Sequence, residues 1–482
     1  MSIRSADIER IQHAVPRGAR LVVRRIQEAG GYACLVGGCL RDLVLGRPVK
    51  DWDIATDLSP EQIQPLFARV FSIGARFGTV LVPAGSRVFE VTTFRTEADY
   101  RDGRHPEQVA YTRSLDEDLR RRDFTVNAMA WAPGEDRIHD PFGGLADLEA
   151  RCIRAVGEPR ERFREDALRL LRAVRQATEL DFVIDPGTLA AIKEEAEGLG
   201  RISAERIRDE LNKILQTARP SRGLLLLHET GLLGLVLPEL EQCYGVAQNR
   251  FHAHDVFLHS LYTADAAPRD NLIVRLAALL HDIGKPDTAD DTEGERTFYS
   301  HQSIGARKAR RLLRRLRYSR EEGERIGHLI YHHMFYYQTE WSDSAVRRFV
   351  RSVGLEHIPD LIALRLADMA GNGRKSGDRR PLERLLQRVD EVMTRDAALT
   401  VKDLTIGGRE LMDLGLAPGP GMGRILRALL ERVLDEPELN TPEALTPIAR
   451  ELIESGHHLQ PDEHERRPTP HESQPDRAEQ PR

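Results

Sequence analysis

The spacing of apolar residues changes period along the chain, and the change divides it. After a helical opening that ends near Gly30 and Gly31, short apolar runs such as YACLV (32–36) and VFEVTTF (88–94) alternate with helical stretches and glycine turns to about residue 150. That pattern predicts strands of a small sheet interleaved with helices. From Arg160 to Leu240 apolar residues recur three and four apart with arginines between them, a helical pattern without a convincing strand. Residues 250–385 are helical again and hold most of the 17 histidines. A last helical block, 386–456, contains the Gly/Pro loop LGLAPGPGMG (414–423) followed by the amphipathic ILRALLERVL. The final 26 residues hold five prolines and almost nothing apolar, too little burial to offset ordering entropy, and read as a disordered tail. The expected fold class is α+β, a small mixed sheet followed by all-α segments. Its expected divisions are 1–150, 151–240, 241–385, 386–456 and 457–482.

Composition narrows the picture. At 482 residues with 40% hydrophobic and 30% charged positions, the chain can bury more than one core. Its net charge of -6 means that a polyanionic partner must be met by local basic patches rather than by global charge. Only seven of the 70 basic residues are lysine, so arginine, the better bidentate ligand for phosphate, dominates. The four cysteines show no CxxC spacing, which disfavours a zinc knuckle or a disulfide framework and suits a reducing cytoplasm. The most apolar stretch, GLLLLHETGLLGLVL from Gly223, is broken by His228 and Glu229, and no membrane or export signal is expected.

The first chemical constellation lies in LVGGCLRDLVLGRPVKDWDIATD (35–57). A strand, a glycine turn and a helix start are followed by a returning strand expected to carry Asp51 and Asp53. Residues two apart on a strand share a face, so both carboxylates could share divalent cations while Trp52 faces the other way. Two Mg²⁺ ions roughly 3.5 to 4 Å apart can activate a hydroxyl and stabilise a leaving pyrophosphate, the needs of nucleotidyl transfer. Gly37 and Gly38 would let backbone amides approach a triphosphate, Arg41 would neutralise it, and Glu90 would complete the metal cage. A lone D-x-D pair or GG turn is commonplace, and no GK[ST] follows to make a P-loop. The ordered set GG-x-x-RD, D-x-D-I-A-T and E-V-T-T-F-R resembles the polymerase-β-type nucleotidyltransferase head of the tRNA CCA-adding and bacterial poly(A) polymerase family.

That resemblance extends along the chain. EDLRRRDFTVNAMAW matches the family's RRDFTxNA motif, which implies that Arg122 and Asn127 contact triphosphate and ribose. In RFREDALRLLRAVR, Asp166 and Arg169 are three apart and, on a helix, would share a face as one acceptor and one fork of donors. Such a pair can read the amine and ring nitrogen common to cytosine and adenine, while guanine and uracil would leave buried groups unpaired. The plain alternative is an i, i+3 surface ion pair. The resemblance makes the pair a protein template that selects CTP and ATP, with Arg172 and Arg175 also contacting nucleotide, and SAERIRDELNKIL (203–215) bracing this neck. D-A-L-R and D-I-A-T lean towards CCA addition over poly(A) synthesis, and the interval between Glu90 and Arg121 looks like the full flexible loop of CCA-adding enzymes.

A third set resembles the HD superfamily of metal-dependent phosphohydrolases: His259 in VFLHSL, His281 and Asp282 with Lys285 in LLHDIGK, and Asp368 in RLADMAG. Adjacent His and Asp on a helix could clamp one cation, and His301, His332 and His333 lie where two-metal members place further ligands. Mixed nitrogen and oxygen ligands suit Mn²⁺, Fe²⁺ or Ni²⁺ as well as Mg²⁺. Between these ligands, RKARRLLRRLRYSR from Arg307 puts eight basic residues in fourteen on a helix with Leu312, Leu313 and Leu316 on its apolar face. This is either a solvated face or a track for an RNA backbone.

These readings imply a cytoplasmic, tRNA-specific enzyme that adds 3'-terminal CCA from CTP and ATP. Its implied parts are a nucleotidyltransferase head (1–150), a nucleotide-selecting neck (151–240), an HD metal domain (241–385), a tRNA-contacting helical domain (386–456) and the tail. No membrane and no obligatory protein partner is implied. The alternatives are a poly(A) polymerase or A-adding enzyme, chiefly an HD phosphohydrolase with a decayed head, or an RNA-binding protein.

Overall fold

The computed structural model describes residues 5–74, 78–98, 108–248, 252–291, 296–373, 378–395 and 399–459. The tip of the long interval after Glu90, and all of the C-terminal tail beyond residue 459, lie outside them. The chain divides into two compact units, Met1–His333 with Ala363–Ser376, and Met334–Ile362 with Gly377–Arg482.

The N-terminal part of the first unit is built on a six-stranded sheet of β1 (Ala33–Val36), β2 (Asp53–Thr56), β3 (Phe71–Gly74), β4 (Thr79–Ala84), β5 (Arg87–Thr93) and, after the separate β6–β7 hairpin (Arg95–Ala98, Gln108–Tyr111), β8 (Ala130–Trp131). Its order is β3-β4-β5-β2-β1-β8. All pairs are antiparallel except β2 and β5, whose parallel register sets Asp53 beside Glu90. The helix Arg17–Glu28 contributes Ala19, Val22, Val23 and Ile26, one stripe of a 3.6-residue period, wholly to the core.

The chain then becomes helical, as its periodicity requires. Helix Leu168–Leu180 buries Leu170, Leu171, Val174 and Ala177 and packs against Ala204–Leu215 and Pro220–Glu229. The structure departs from the all-helical reading at Val183–Ile184 (β10), which pairs in parallel with Cys152–Ile153 (β9). Two residues are too short for any alternation to announce them. Helices Val256–Ala266, Leu272–Leu280, His301–Arg315 and Arg320–His332 follow. Buried Arg275 ties this group to the preceding helices by donating to the carbonyls of Leu215 and, at 2.7 Å, Thr217. All four cysteines are free and buried.

In the second unit, Ile406, Leu411, Ile425, Leu429, Val433 and Leu445 form the core. The helix that follows the Gly/Pro loop begins already at Pro420, because proline fits a first helical turn whose N–H groups have no partner. No described helix is long and apolar enough to cross a membrane.

Two candidate active sites in one compact unit

β1 ends at Val36, and Gly37 turns the chain into helix Gly38–Val44. Gly37 has φ 74°, and a Cβ there would lie 2.9 Å from Arg122 Nη1 and 3.5 Å from Asp53 Oδ2, so only glycine leaves this turn open. Asp53 opens β2, and Asp51 lies two residues before the strand rather than on it, exposed beside the same cleft. Trp52 between them is buried. Burial pushes the Asp53 carboxyl upward, with Arg122 opposing and Asp51 adding to the shift. Burial followed by Asp53 and Asp51 does the same to Glu90. Three acids in one place, two of them held above their ordinary range, form an anionic pocket that a divalent cation would relieve.

The opposite wall is basic and rigid. Buried Asp118 holds Arg121 at 2.7 Å and Arg122 at 3.2 Å. Arg41 is buried, with Nη1 donating to Asn127 Oδ1 at 2.9 Å and Nε to Asp42 at 3.0 Å. Asp123, which the sequence reading passed over, is the hub: it accepts from Asn127 at 2.9 Å and from Arg172 Nε at 2.8 Å. Burial works against its charge, but Arg172 and Asn127 overcome it and hold the carboxyl far below its usual range. Arg175 is fixed by Glu210 at 2.6 Å and Glu179 at 3.0 Å.

Asp166 and Arg169 do not share a helical face as the sequence suggests. Helix Pro159–Glu165 stops at Asp166 (φ -142°, ψ 102°), and the next helix begins at Leu168. The physical reason is local: the Asp166 carboxylate accepts the Leu168 N–H at 3.0 Å, offering the backbone an alternative to a continuous helix. The two residues are not ion-paired to each other. Arg169 is held by Glu165 at 2.6 Å and by the Arg121 carbonyl at 2.9 Å, and Asp166 by Arg206 at 2.9 Å. Arg206 belongs to the segment 203–215 and, like Asp123, is not singled out by the sequence. Arg122 Nε and Arg206 Nη1 are buried donors with no protein acceptor among the described residues.

Gly37, Gly38, Arg41, Asp51, Asp53, Glu90, Arg122, Asn127, Asp166, Arg169, Arg172 and Arg175 all line one cleft of about 1120 Å³. It can hold a nucleoside triphosphate with its phosphates between carboxylates and guanidinium groups.

The second site is buried. Asp282 Oδ2 lies 3.1 Å from His281 Nε2, and Asp368 Oδ1 lies 3.1 Å from His259 Nε2. On the other side, Asp282 Oδ1 is 3.5 Å from His301 and 3.9 Å from His333. Two ligand clusters, His259–His281–Asp282 and Asp282–His301–His333, therefore share one carboxylate. The Nδ1–H groups of His281, His301 and His333 donate to the carbonyls of Ala278, Phe298 and Ile330 at 2.7–2.8 Å. This turns each Nε2 lone pair inward. Nε2 atoms then face one another at 3.2 Å (His259, His281) and 3.4 Å (His301, His333), an arrangement that cations between them would satisfy. Burial pushes His301 down, and burial reinforced by His281 pushes His333 to about 3.

Two expectations change here. The helix Leu272–Leu280 ends before His281, so the His–Asp pair lies in the turn beyond it. Gly284 permits that turn, since a Cβ there would collide with the His301 carbonyl. His332 is outside both clusters, its ring against His328 at 4.5 Å between centroids, because neighbours on a helix end point about 100° apart. His252, unremarked in the sequence, stands 5.3 Å from His259 ring to ring, and burial, then Lys285 and His259, lower it to about 4.

Comparison with known proteins finds three family matches along the chain. A family described as "Poly A polymerase head domain" matches residues 33–154, "Probable RNA and SrmB- binding site of polymerase A" matches 181–244, and "HD domain" matches 252–392. The CCA-adding enzyme of Pediococcus pentosaceus is 51% identical over 207 residues, 43% of this chain. That match spans only about half (52%) of the relative's length. The A-adding tRNA nucleotidyltransferase of Deinococcus radiodurans is 37% identical over 435 residues, 85% of this chain and 93% of its own. The crystal structure of the Bacillus stearothermophilus CCA-adding enzyme in complex with CTP superposes with a TM-score of 0.70 at 30% identity, over 92% of this chain and 99% of that one. Nucleotidyltransferase heads and HD domains in general use divalent metals.

Proposed function

Because the chain belongs to the family of CCA-adding tRNA nucleotidyltransferases and bacterial poly(A) polymerases, with an HD domain in the same chain, we propose that it builds or repairs the 3'-terminal CCA of tRNA from CTP and ATP in the cytoplasm. The observation that carries this reading is the convergence of acid, guanidinium and base-reading groups on one cleft. Asp51, Asp53 and Glu90 would hold Mg²⁺, which supplies hydroxyl activation and charge neutralisation at the reacting phosphate. Arg122, beside the Gly37 turn, neutralises the triphosphate, and Arg41 holds Asn127 in place. Asp166 and Arg169, each locked by its own partner, present an acceptor and a donor to the Watson–Crick edge of cytosine or adenine. The tRNA 3'-hydroxyl would give up its proton to solvent as its oxygen bonds to the α-phosphorus, the bond from that phosphorus to the oxygen bridging to the β-phosphate would break, and pyrophosphate would leave.

In this reading residues 1–150 act as head, 151–240 as neck, 241–385 as HD domain and 386–456 as a further tRNA contact. His259, His281, Asp282 and Asp368, with His301 and His333, would bind a transition metal or Mg²⁺ for phosphohydrolase chemistry. The experiment offers tRNA ending before CCA, after C and after CC, with each nucleotide singly, and sequences the products. C added from CTP alone to the first two, and A from ATP alone to the third, supports the proposal. A alone, added only to tRNA ending in CC, gives the chain the activity named for its Deinococcus relative.

A further inference from the structure

The helix His301–Arg315 begins with a residue of the buried HD cluster, and its outer face then does something the cluster does not require. Of the six basic residues from Arg307 to Arg315, three are tied down. Lys308 pairs with Asp287 at 3.0 Å, Arg310 with Glu324 at 2.7 Å, and Arg315 donates to the Val236 carbonyl at 2.8 Å. The other three, Arg307, Arg311 and Arg314, are exposed and meet no carboxylate among the described residues. Their spacing of four and three sets them on one stripe, where like charges repel. All three line a groove of about 870 Å³ between this helix and the segment Pro238–Gln242. The two carboxylates on the groove wall are already answered, Asp287 by Lys308 and Glu239 by Arg315 at 3.7 Å. The stripe is therefore the groove's uncompensated charge.

We infer that this groove binds the phosphate backbone of the tRNA, at a place apart from the nucleotide cleft; the identity of the RNA rests on the function proposed above. The shape of the charge selects a strand over a small anion. A lone phosphate is held by donors that converge on a point, whereas these three arginines are spread over about 10 Å of helix axis. A nucleic-acid strand presents a phosphate roughly every 3.4 Å of helix axis, so such a row meets about three of them. Exposed guanidinium groups in a line bind by releasing counterions, and they read no sequence.

The test uses the full chain and tRNA lacking CCA, with wild type compared with Arg307→Ala/Arg311→Ala/Arg314→Ala and with the matching triple lysine variant. Fluorescence anisotropy gives the tRNA affinity from low to physiological salt, and incorporation is followed separately at saturating tRNA. The alanine variant should lose affinity about tenfold or more at low salt, and its log–log salt slope should fall by about 1 per arginine removed. The lysine variant should keep most of the slope, since point charges suffice, whereas in the alanine variant kcat should hold while KM for tRNA rises. An unchanged affinity and slope in the alanine variant overturns the inference and leaves the face merely solvated. Equal losses of binding to poly-glutamate and to tRNA overturn it too, making the groove a general anion exchanger. If wild type adds no nucleotide yet binds tRNA with the arginine-dependent slope, the groove stands and the function reading fails. If it adds CCA with no such dependence, the reverse holds.

Discussion

The two candidate centres of the first unit are built on opposite principles. In the head cleft the metal-binding candidates are carboxylates at a strand start and on its parallel neighbour, lining an open cleft and held above their ordinary range by burial and then by one another. In the HD centre they are mainly imidazoles, almost wholly buried, with their tautomers set by backbone carbonyls. The first arrangement suits a cation that arrives with its nucleotide and departs with pyrophosphate. The second suits a resident cation, because backbone hydrogen bonds already fix the inward-turned nitrogens of His281, His301 and His333 around shared carboxylates.

The largest effect that could break this contrast is in the head. Asp53→Ala should lower nucleotide incorporation by about 10³-fold or more, with tRNA affinity changed only a few-fold, because RNA affinity rests on basic contacts. Primer extension with parallel anisotropy measures both, and retained incorporation would remove Asp53 from the reaction.

Next comes the HD pair. His281→Ala with Asp282→Ala should strip any metal the wild type holds there and abolish any hydrolysis of phosphomonoesters or cyclic phosphates, while CCA addition stays within about tenfold. Arg275 bolts these helices to the neck, so part of that tenfold can come from lost stability rather than lost chemistry. Metal analysis, a melting curve and both activity assays separate the cases. A folded, metal-free variant that has lost CCA addition as well would mean that the two centres are coupled.

A smaller effect probes Asp166 and Arg169, proposed above to read the incoming base. Asp166→Ala should reduce discrimination for C and A over U and G by about 10- to 100-fold, the worth of one buried unpaired group at roughly 1 to 3 kcal/mol. Arg206→Ala, which frees the same carboxylate without removing it, should produce part of that loss. Single-turnover incorporation of each nucleotide is the measurement.

The smallest effect is one of sign. His333 and His252 are lowered to about 3 and about 4, so the unfolded chain takes up their protons first. Metal-free protein should therefore lose stability as pH falls from about 6.5 towards 4. Asp53 and Glu90 are raised, so their contribution runs the other way: the destabilisation they cause at neutral pH is relieved as acid protonates them. Melting curves of metal-free wild type and Asp53→Asn across this range should show the variant more stable at pH 7, with the difference closing at low pH.

Much was readable before any fold was known, and the reasons differ by residue. The strand ending in Gly37, the D-x-D pair, the arginine-spaced neck helix and the histidine-rich stretch are each contiguous, so a local period or motif carries them. The Asp123 hub and the Arg206 brace were not readable, because each acts through partners 49 and 40 residues away in sequence. The break at Asp166 was missed for a different reason. Its pattern is helical on both sides, and one side-chain hydrogen bond to the Leu168 N–H is enough to interrupt it.

Local order in the chain accounts for the elements, the chemistry-bearing residue types and their grouping into carboxylate, guanidinium and imidazole sets, since periodicity and short motifs act over a few residues. Which members meet was decided by tertiary contact. The parallel β2–β5 register brought Glu90 to Asp53, and the turn allowed by Gly284 brought His301 to Asp282 while His332 was left outside. A register or a helix end rotates every side chain beyond it at once, and burial then sets which of the assembled groups can carry charge, quantities that belong to the folded arrangement and to no single stretch of sequence.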